Sequence, residues 1–464
     1  MFHKSKLLLM GSLLTQITFV GATEVEKTHE FMLDNGLKLI VQEDHRSPVV
    51  VTQVWYKVGA SYEHEGITGL SHMLEHMMFK GTDDLKSGEF SKIISENGGR
   101  ENAFTSRDYT AYYQQLEKSR LPISFKLESD RMRDLIISDE EFLKERKVVT
   151  EERRMRTDDK PQSLAYEKLQ AAAFQTSPYR NPVIGWMADI QHYEAQDMRD
   201  WYGMWYAPNN ATVVVVGDVD PKEVYQLALK HFAPLKPEKL AELKDRPEIP
   251  QTGEKRLTIR DNVRVPYMLM GYKVPSLVQA HADEKIATEK EIYALEVLAG
   301  VLDGGSSSRL TKNLVRGQEI ASSAGAGYSM MSRLETLFLF DGTPAQGQTL
   351  ATLEKAIRTE IEKVKTEPLT SAEMARVKTQ VITGDIYEKD SVYYQAMIIG
   401  SLETVGLDWK VRDEYVAKVQ AVTAEEVQAV AKKYLVDDHL TVANLIALPE
   451  EIKPEITTAA VEQK

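Results

Sequence analysis

With 464 residues and a formal net charge of −13, the chain is long enough for two or more buried cores and too acidic, with no basic stripe, to be a binder of nucleic-acid phosphates. Hydrophobic residues at 42% and charged residues at 27% are ordinary for a globular protein. The lack of cysteine excludes a disulfide scaffold, thiol chemistry and a cysteine-linked lipid anchor.

The first 22 residues read as an address. Lys4 and Lys6 precede an apolar run from Leu7 to Ala22, broken by Thr15, Gln16 and Thr18 and ending in the small residues Val20-Gly21-Ala22. Such a run is too short and polar for a confident membrane span and predicts a signal peptide over 1–22, hence a periplasmic or secreted protein with no stable membrane span after cleavage; the alternative is an uncleaved N-terminal anchor. Next comes strand-like sequence, Glu30 to Gln42, with a hairpin signal at Asn35-Gly36, and a further strand from Val49 to Val58.

Gly69 to Gly81 carries His72-x-x-Glu75-His76 within an apolar-periodic run of Leu70, Met73, Leu74, Met77 and Met78, which predicts a buried or half-buried helix. Residues four apart share a helical face, so His72 and His76 can offer two imidazoles to one zinc ion, with Glu75 beside the open coordination position. The order mirrors H-E-x-x-H. Unpaired imidazoles and a carboxylate are costly among apolar neighbours, and a metal removes that cost.

Asn97 to Tyr113 reads as a turn followed by a strand. At a sheet edge it could pair with an extended peptide through main-chain hydrogen bonds, or it could be a plain surface strand. Lys144 to Met155 predicts a helix with Glu145 and Glu152 two turns apart on one face and Glu151 as a rival for any ligand role. A helix over Ala195 to Tyr206 and a buried strand over 207–218 recur about 230 residues later as Ala424 to Tyr434 and a strand within 435–445. Pro234 to Glu254, with four prolines, reads as a linker. In the second half, Glu291 to Leu302 takes the place of the His72 helix and has no histidine.

The paired motifs resemble those of the insulinase or pitrilysin family of zinc peptidases, which includes the mitochondrial processing peptidase β subunit. The resemblance spans about Glu30 to Leu448. It implies an α+β fold of two homologous α/β domains, each an antiparallel-rich sheet with packed helices: a zinc domain over 27–233, a linker over 234–254, a non-metal domain over 255–448 and a tail over 449–464. It implies Zn2+ held by His72, His76 and Glu152, with Glu145 fixing a histidine or the ligand in place. Glu75 would act as general base on water acidified toward a pKa of ~7.

Gly98, Gly99, Asn102, Ala103 and Thr105 match the family's substrate-binding G-G-x-x-N-A-x-T stretch. Active members also use an arginine and a tyrosine from a catalytically silent half. The expected partner is therefore a related non-zinc subunit in a heterodimer, or a second copy in a homodimer. Arg316, Tyr328 and Arg333 lie in the second half, and the sequence does not assign the pair among them. The expected activity is zinc-dependent endopeptidase cleavage of extended peptides or small unfolded proteins. The alternatives are a non-catalytic assembly or chaperone-like subunit, and a zinc hydrolase acting on non-peptide substrates.

Overall fold

The computed structural model describes residues 28–449 apart from Asp245. The expected signal peptide, and all but one residue of the expected tail, lie outside them. The first domain contains strands β1 (Thr28–Met32), β2 (Lys38–Glu43), β3 (Val49–Tyr56), β4 (Arg100–Thr105), β5 (Thr110–Glu117) and β6 (Ala211–Gly217). Its helices are α1 (Leu70–Met77), α2 (Glu89–Glu96), α3 (Leu121–Arg133), α4 (Asp139–Arg153), α5 (Pro161–Ala173), α6 (Met187–His192), α7 (Ala195–Trp205) and α8 (Pro221–His231). The second domain contains β7 (Lys255–Asp261), β8 (Tyr267–Val274), β9 (Ala321–Gly327), β10 (Thr336–Pro344) and β11 (Leu440–Ala447). Its helices are α9 (Leu277–Ala282), α10 (Glu289–Leu302), α11 (Leu350–Thr366), α12 (Ser371–Asp390), α13 (Val392–Val405), α14 (Val411–Ala421) and α15 (Ala424–Tyr434). Among the described residues, no helix is long and apolar enough to cross a membrane.

The two sheets repeat one topology. The first runs β1-β2-β6-β3-β5-β4 and the second β7-β11-β8-β10-β9. Without β1 the orders correspond strand for strand. In each sheet one pair is parallel, β2 with β6 and β7 with β11, and the other pairs are antiparallel. The Asn35-Gly36 turn joins β1 to β2, with Gly36 at φ +86°. The stretch read as a turn and one strand over 97–113 is instead a hairpin, β4 and β5, whose tip at 106–109 holds polar and aromatic residues in place of a glycine turn signal.

Strand periodicity explains the unbroken valine run in β6. Val213 and Val215 enter the core beneath α1, whereas Val214 and Val216 enter a second core on the opposite face. That second core is closed by α13, whose Ala396 and Ile399 pack on Ile40, Val51 and Trp55. The converse holds across the molecule: α5 lays Ala165, Leu169 and Ala173 on Ile259, Leu269, Leu337 and Ala443 of the second sheet. Each domain thus covers its neighbour's sheet with the helix at the same place in the repeat. Gly400 permits the close approach, because a Cβ there would lie 2.1 Å from the Trp55 ring.

Between α8 and β7 the described residues form no helix or strand, yet the proline-rich stretch is fastened at Glu248. Its carboxylate accepts the backbone N–H groups of Gln175, Thr176 and Ser177 at 2.9 Å and the Lys273 ammonium at 2.7 Å. Both side chains of this ion pair are almost fully buried. Burial alone would raise the Glu248 carboxyl, but Lys273 and the three backbone donors bring it down to about 2.

Candidate metal centre

The start of α1 is set by backbone contact, with no side-chain cap. Gly69 precedes the helix at φ +88°, where a Cβ would lie 2.3 Å from the Ile184 carbonyl oxygen; Gly185, also at φ +88°, faces it as closely. The free N–H groups of this first turn go to Glu63, whose carboxylate accepts from Gly69 at 2.6 Å and Ser71 at 2.7 Å. Burial pushes Glu63 up to about 7 against the pull of those donors. Leu70, Met73, Leu74 and Met77 enter the core, which leaves His72, Glu75 and His76 on the face toward α4 and β4.

Helix α4 begins at Ser138, whose hydroxyl accepts the Glu141 N–H, and it is anchored by buried Phe142 and Val149. Its far end is tied down by Arg153, a buried guanidinium that donates to both Glu167 oxygens at 2.9 Å and to the Gly185 carbonyl at 2.7 Å. Arg153 therefore links the residue next to Glu152 to the loop against which α1 starts. This brace fixes the separation of the two helices at the site.

Across that separation, Glu152 Oε2 lies 3.2 Å from His76 Nε2 and 3.8 Å from His72 Nε2. Ligands of a tetrahedral ion bound at 2.0–2.1 Å are about 3.3 Å apart; the Glu152–His76 pair stands at that separation, and all three ligand atoms lie within 4.8 Å of one another. Among the described residues, His72, His76 and Glu152 are the group that converges in this way. Glu152 Oε2 is buried without a hydrogen-bond partner, as is His72 Nδ1. An orphaned carboxylate oxygen facing two imidazole nitrogens is the donor set a divalent ion would satisfy. The other Glu152 oxygen pairs with Arg156 at 2.9 Å. Glu151 points outward to Arg154.

The remaining groups set orientation and protonation. His76 Nδ1–H donates to Glu145 Oε1 at 2.8 Å, which turns Nε2 toward Glu152, and the other Glu145 oxygen accepts from Lys80 at 2.6 Å. Burial lowers the His72 imidazole to about 4, helped by the neighbouring His76. Burial also opposes the His76 cation, but Glu145 and Glu152 raise that imidazole to about 9. Glu75 is not among the converging ligands. Burial raises its carboxyl, and Thr105 Oγ1 donates to its Oε2 at 2.5 Å.

Thr105 ends β4, the outermost strand of the sheet beside the His72 helix, so the far edge of β4 is unpaired in the sheet. Asn102 is exposed there and its side-chain oxygen accepts the Ala103 N–H; Ala103 is half-buried against the core. Gly98, at φ +71°, turns the chain after α2. At Gly99 a Cβ would meet the Leu116 side chain at 2.3 Å, so the chain lies close against Leu116 there.

Of the three second-half residues, Arg316 lies in the π-helical turn over 311–317, and the Tyr328 hydroxyl donates to the Pro275 carbonyl. Arg333 crosses between the domains: it donates to Ser61 Oγ at 2.8 Å and lies 4.6 Å from the Tyr62 ring centroid.

Compared with known proteins, residues 38–186 match the family described as insulinase (peptidase family M16) and residues 192–381 that described as the peptidase M16 inactive domain. The zinc protease PqqE of Helicobacter pylori is 35% identical over 387 residues, covering 82% of this chain and 85% of that protein. This chain belongs to the M16 peptidase family. A crystal structure of a Helicobacter pylori protease superposes with a TM-score of 0.85 at 32% identity, over 91% of this chain and all of the other. The periplasmic protease PqqL of Escherichia coli shares the fold at 19% identity and a TM-score of 0.75, with 92% of this chain covering 49% of PqqL.

In this M16 protease, Glu63, Arg153 and Lys80 escape a sequence reading because each acts through a partner distant in the chain or through backbone, and no spacing signals that. Thr105 was visible as a motif position, but its contact with Glu75 depends on how β4 lies against α1.

Proposed function

We propose that the chain is a zinc endopeptidase in which His72, His76 and Glu152 hold the ion and Glu75 moves the proton. The observation that carries the reading is the convergence of His72, His76 and Glu152, with one Glu152 oxygen 3.2 and 3.8 Å from the two Nε2 atoms and all three ligand atoms within 4.8 Å of one another, and with a second acidic group, Glu75, left outside the set. Zinc bound there would acidify water and polarise the scissile carbonyl. Glu75, held at one oxygen by Thr105, keeps the other free to take a proton from water and return it to the leaving amine. Glu145 orients His76, and Lys80 holds Glu145.

An extended peptide would pair with the unpaired edge of β4, where Asn102 and Ala103 meet it through main chain and amide and Gly99 keeps the strand close to the sheet. Main-chain pairing asks for an unfolded segment, which favours peptides and small unfolded proteins. The chain matches half the length of PqqL, which supports closure against a second chain of similar fold, a related non-zinc subunit or another copy. The N-terminal address and the periplasmic protease PqqL support a periplasmic or secreted location. We take the domain limits as 27–233 and 255–448, a reading supported by the two separate sheets on either side of the segment fastened at Glu248.

The test is mass spectrometry of a peptide mixture digested by the purified protein, any co-purifying chain retained, with and without chelator. The reading predicts internal cleavages that vanish with chelator, return with zinc and are absent from the Glu75→Gln protein. Zinc-independent cleavage, or normal cleavage by Glu75→Gln, would overturn it.

A further inference from the structure

The turn joining β4 to β5 brings a second chemistry close to the metal centre. Arg107, at its tip, is largely enclosed beside a cavity of about 350 Å3 between this turn and the β9–β10 hairpin of the second domain. The guanidinium lies 5.4 Å from the Tyr179 ring centroid and 6.0 Å from that of Tyr166, and Nη2 donates to the Tyr166 hydroxyl at 3.4 Å. Its Nε is buried with no hydrogen-bond partner. Among the described residues no carboxylate lies within ion-pair distance of it, and no other Lys or Arg lines this cavity.

The adjacent Asp108 is already committed. Its Oδ1 accepts from Ser61 at 2.8 Å, its Oδ2 accepts from the Tyr179 hydroxyl and from the Arg333 N–H at 3.1 Å, and the Arg333 guanidinium lies 3.5 Å away. The cavity wall therefore presents one uncompensated positive charge, together with hydroxyls from Ser106, Tyr109 and Ser329. A guanidinium held this far from water without an anion is costly, and a planar carboxylate matches its fork.

We propose that this cavity takes a carboxylate of the bound peptide, either an acidic side chain or the C-terminal group. The inference rests on the peptidase reading for the path of the substrate. Thr105 touches Glu75, and Arg107 follows two residues later in the turn, so its backbone lies at most about 7 Å along the chain at ~3.3 Å per residue. A peptide on the β4 edge with its scissile bond at Glu75 passes the cavity within about two to four residues. The pocket would thus select substrates by charge at one fixed position, while main-chain pairing elsewhere stays indifferent to side chains.

The test uses zinc-loaded Glu75→Gln protein, which binds without turnover, and labelled peptides of one sequence. Glu or Gln is scanned through four positions on each side of the centre, and the C-terminus is an acid or an amide. The scan separates the side-chain from the C-terminal source. We expect one carboxylate position to tighten binding at least tenfold over its neutral counterpart, a ratio that Arg107→Met reduces below twofold and Arg107→Lys partly retains. A scan in which no carboxylate gains more than twofold, or a preference that survives Arg107→Met, overturns the proposal. Failure of the peptidase reading appears separately, as no zinc-dependent cleavage of the same peptides by the protein with Glu75 intact.

Discussion

Replacing Glu145 by glutamine isolates the charge behind His76 while keeping side-chain volume. In the native protein the Nδ1–H of His76 donates at 2.8 Å to a carboxylate that is 8% exposed and also holds Lys80 at 2.6 Å. A hydrogen bond to a charged group contributes about 1.5–3 kcal/mol and a neutral one about 0.5–1.5, so the amide forfeits about 1–2 kcal/mol of support for the imidazole. Because that support acts on the metal-facing Nε2, zinc affinity should fall roughly 5- to 30-fold. Glu145→Ala removes the whole contact and should cost roughly 10- to 100-fold. Competition with a fluorescent zinc chelator measures both, with Glu151→Gln, an outward-facing residue, as the control expected to stay within twofold. If Glu145→Ala binds zinc like the native protein while its thermal midpoint is unchanged, the orienting role is wrong.

Further predictions concern the frame around the site. Glu248→Gln leaves Lys273 buried opposite a neutral group and should cost roughly 3–5 kcal/mol in chemical denaturation. Since the folded carboxyl lies at about 2 against 4.5 when free, its contribution is full above about pH 4.5 and is lost as pH falls toward 2. The stability gap between native and Glu248→Gln proteins should therefore close across that window, and a constant gap would contradict the assignment. Gly400→Ala should destabilise by roughly 1–3 kcal/mol because its Cβ meets the Trp55 ring at 2.1 Å. Gly384→Ala, in the interior of α12 with nothing within 4 Å, should stabilise by roughly 0.5–1 kcal/mol. Equal effects at the two glycines would remove the claim that α13 seals the first sheet.

What could be read in the sequence was whatever the chain encodes locally. The His72 helix, the Glu145 and Glu152 face and the repeated α7–β6 and α15–β11 units announce themselves through helical spacing, apolar runs and their recurrence along the chain. The same valine run in β6 signals burial on both faces, but nothing in it says that the second cover comes from the other domain. The 97–113 hairpin reads in sequence as a turn and one strand because its tip, Ser106 to Tyr109, lacks the glycine or Asn-Gly pair that usually marks a turn. The proline-rich 234–254 segment has the composition of a free connector, while Glu248 gains its anchoring role from three N–H groups some seventy residues upstream. Likewise Glu63 and Arg153 act through the backbone around Gly69 and Gly185, and charge alone does not distinguish them from surface residues.

The most direct test of the account is anomalous diffraction at the zinc edge from crystals of the Glu75→Gln protein grown with zinc. One peak per chain is expected within bonding distance of His72 Nε2, His76 Nε2 and a Glu152 oxygen, with residue 75 outside the coordination sphere. A peak elsewhere, or one bonded to residue 75 while Glu152 turns away, would contradict the assignment of ligands and base together.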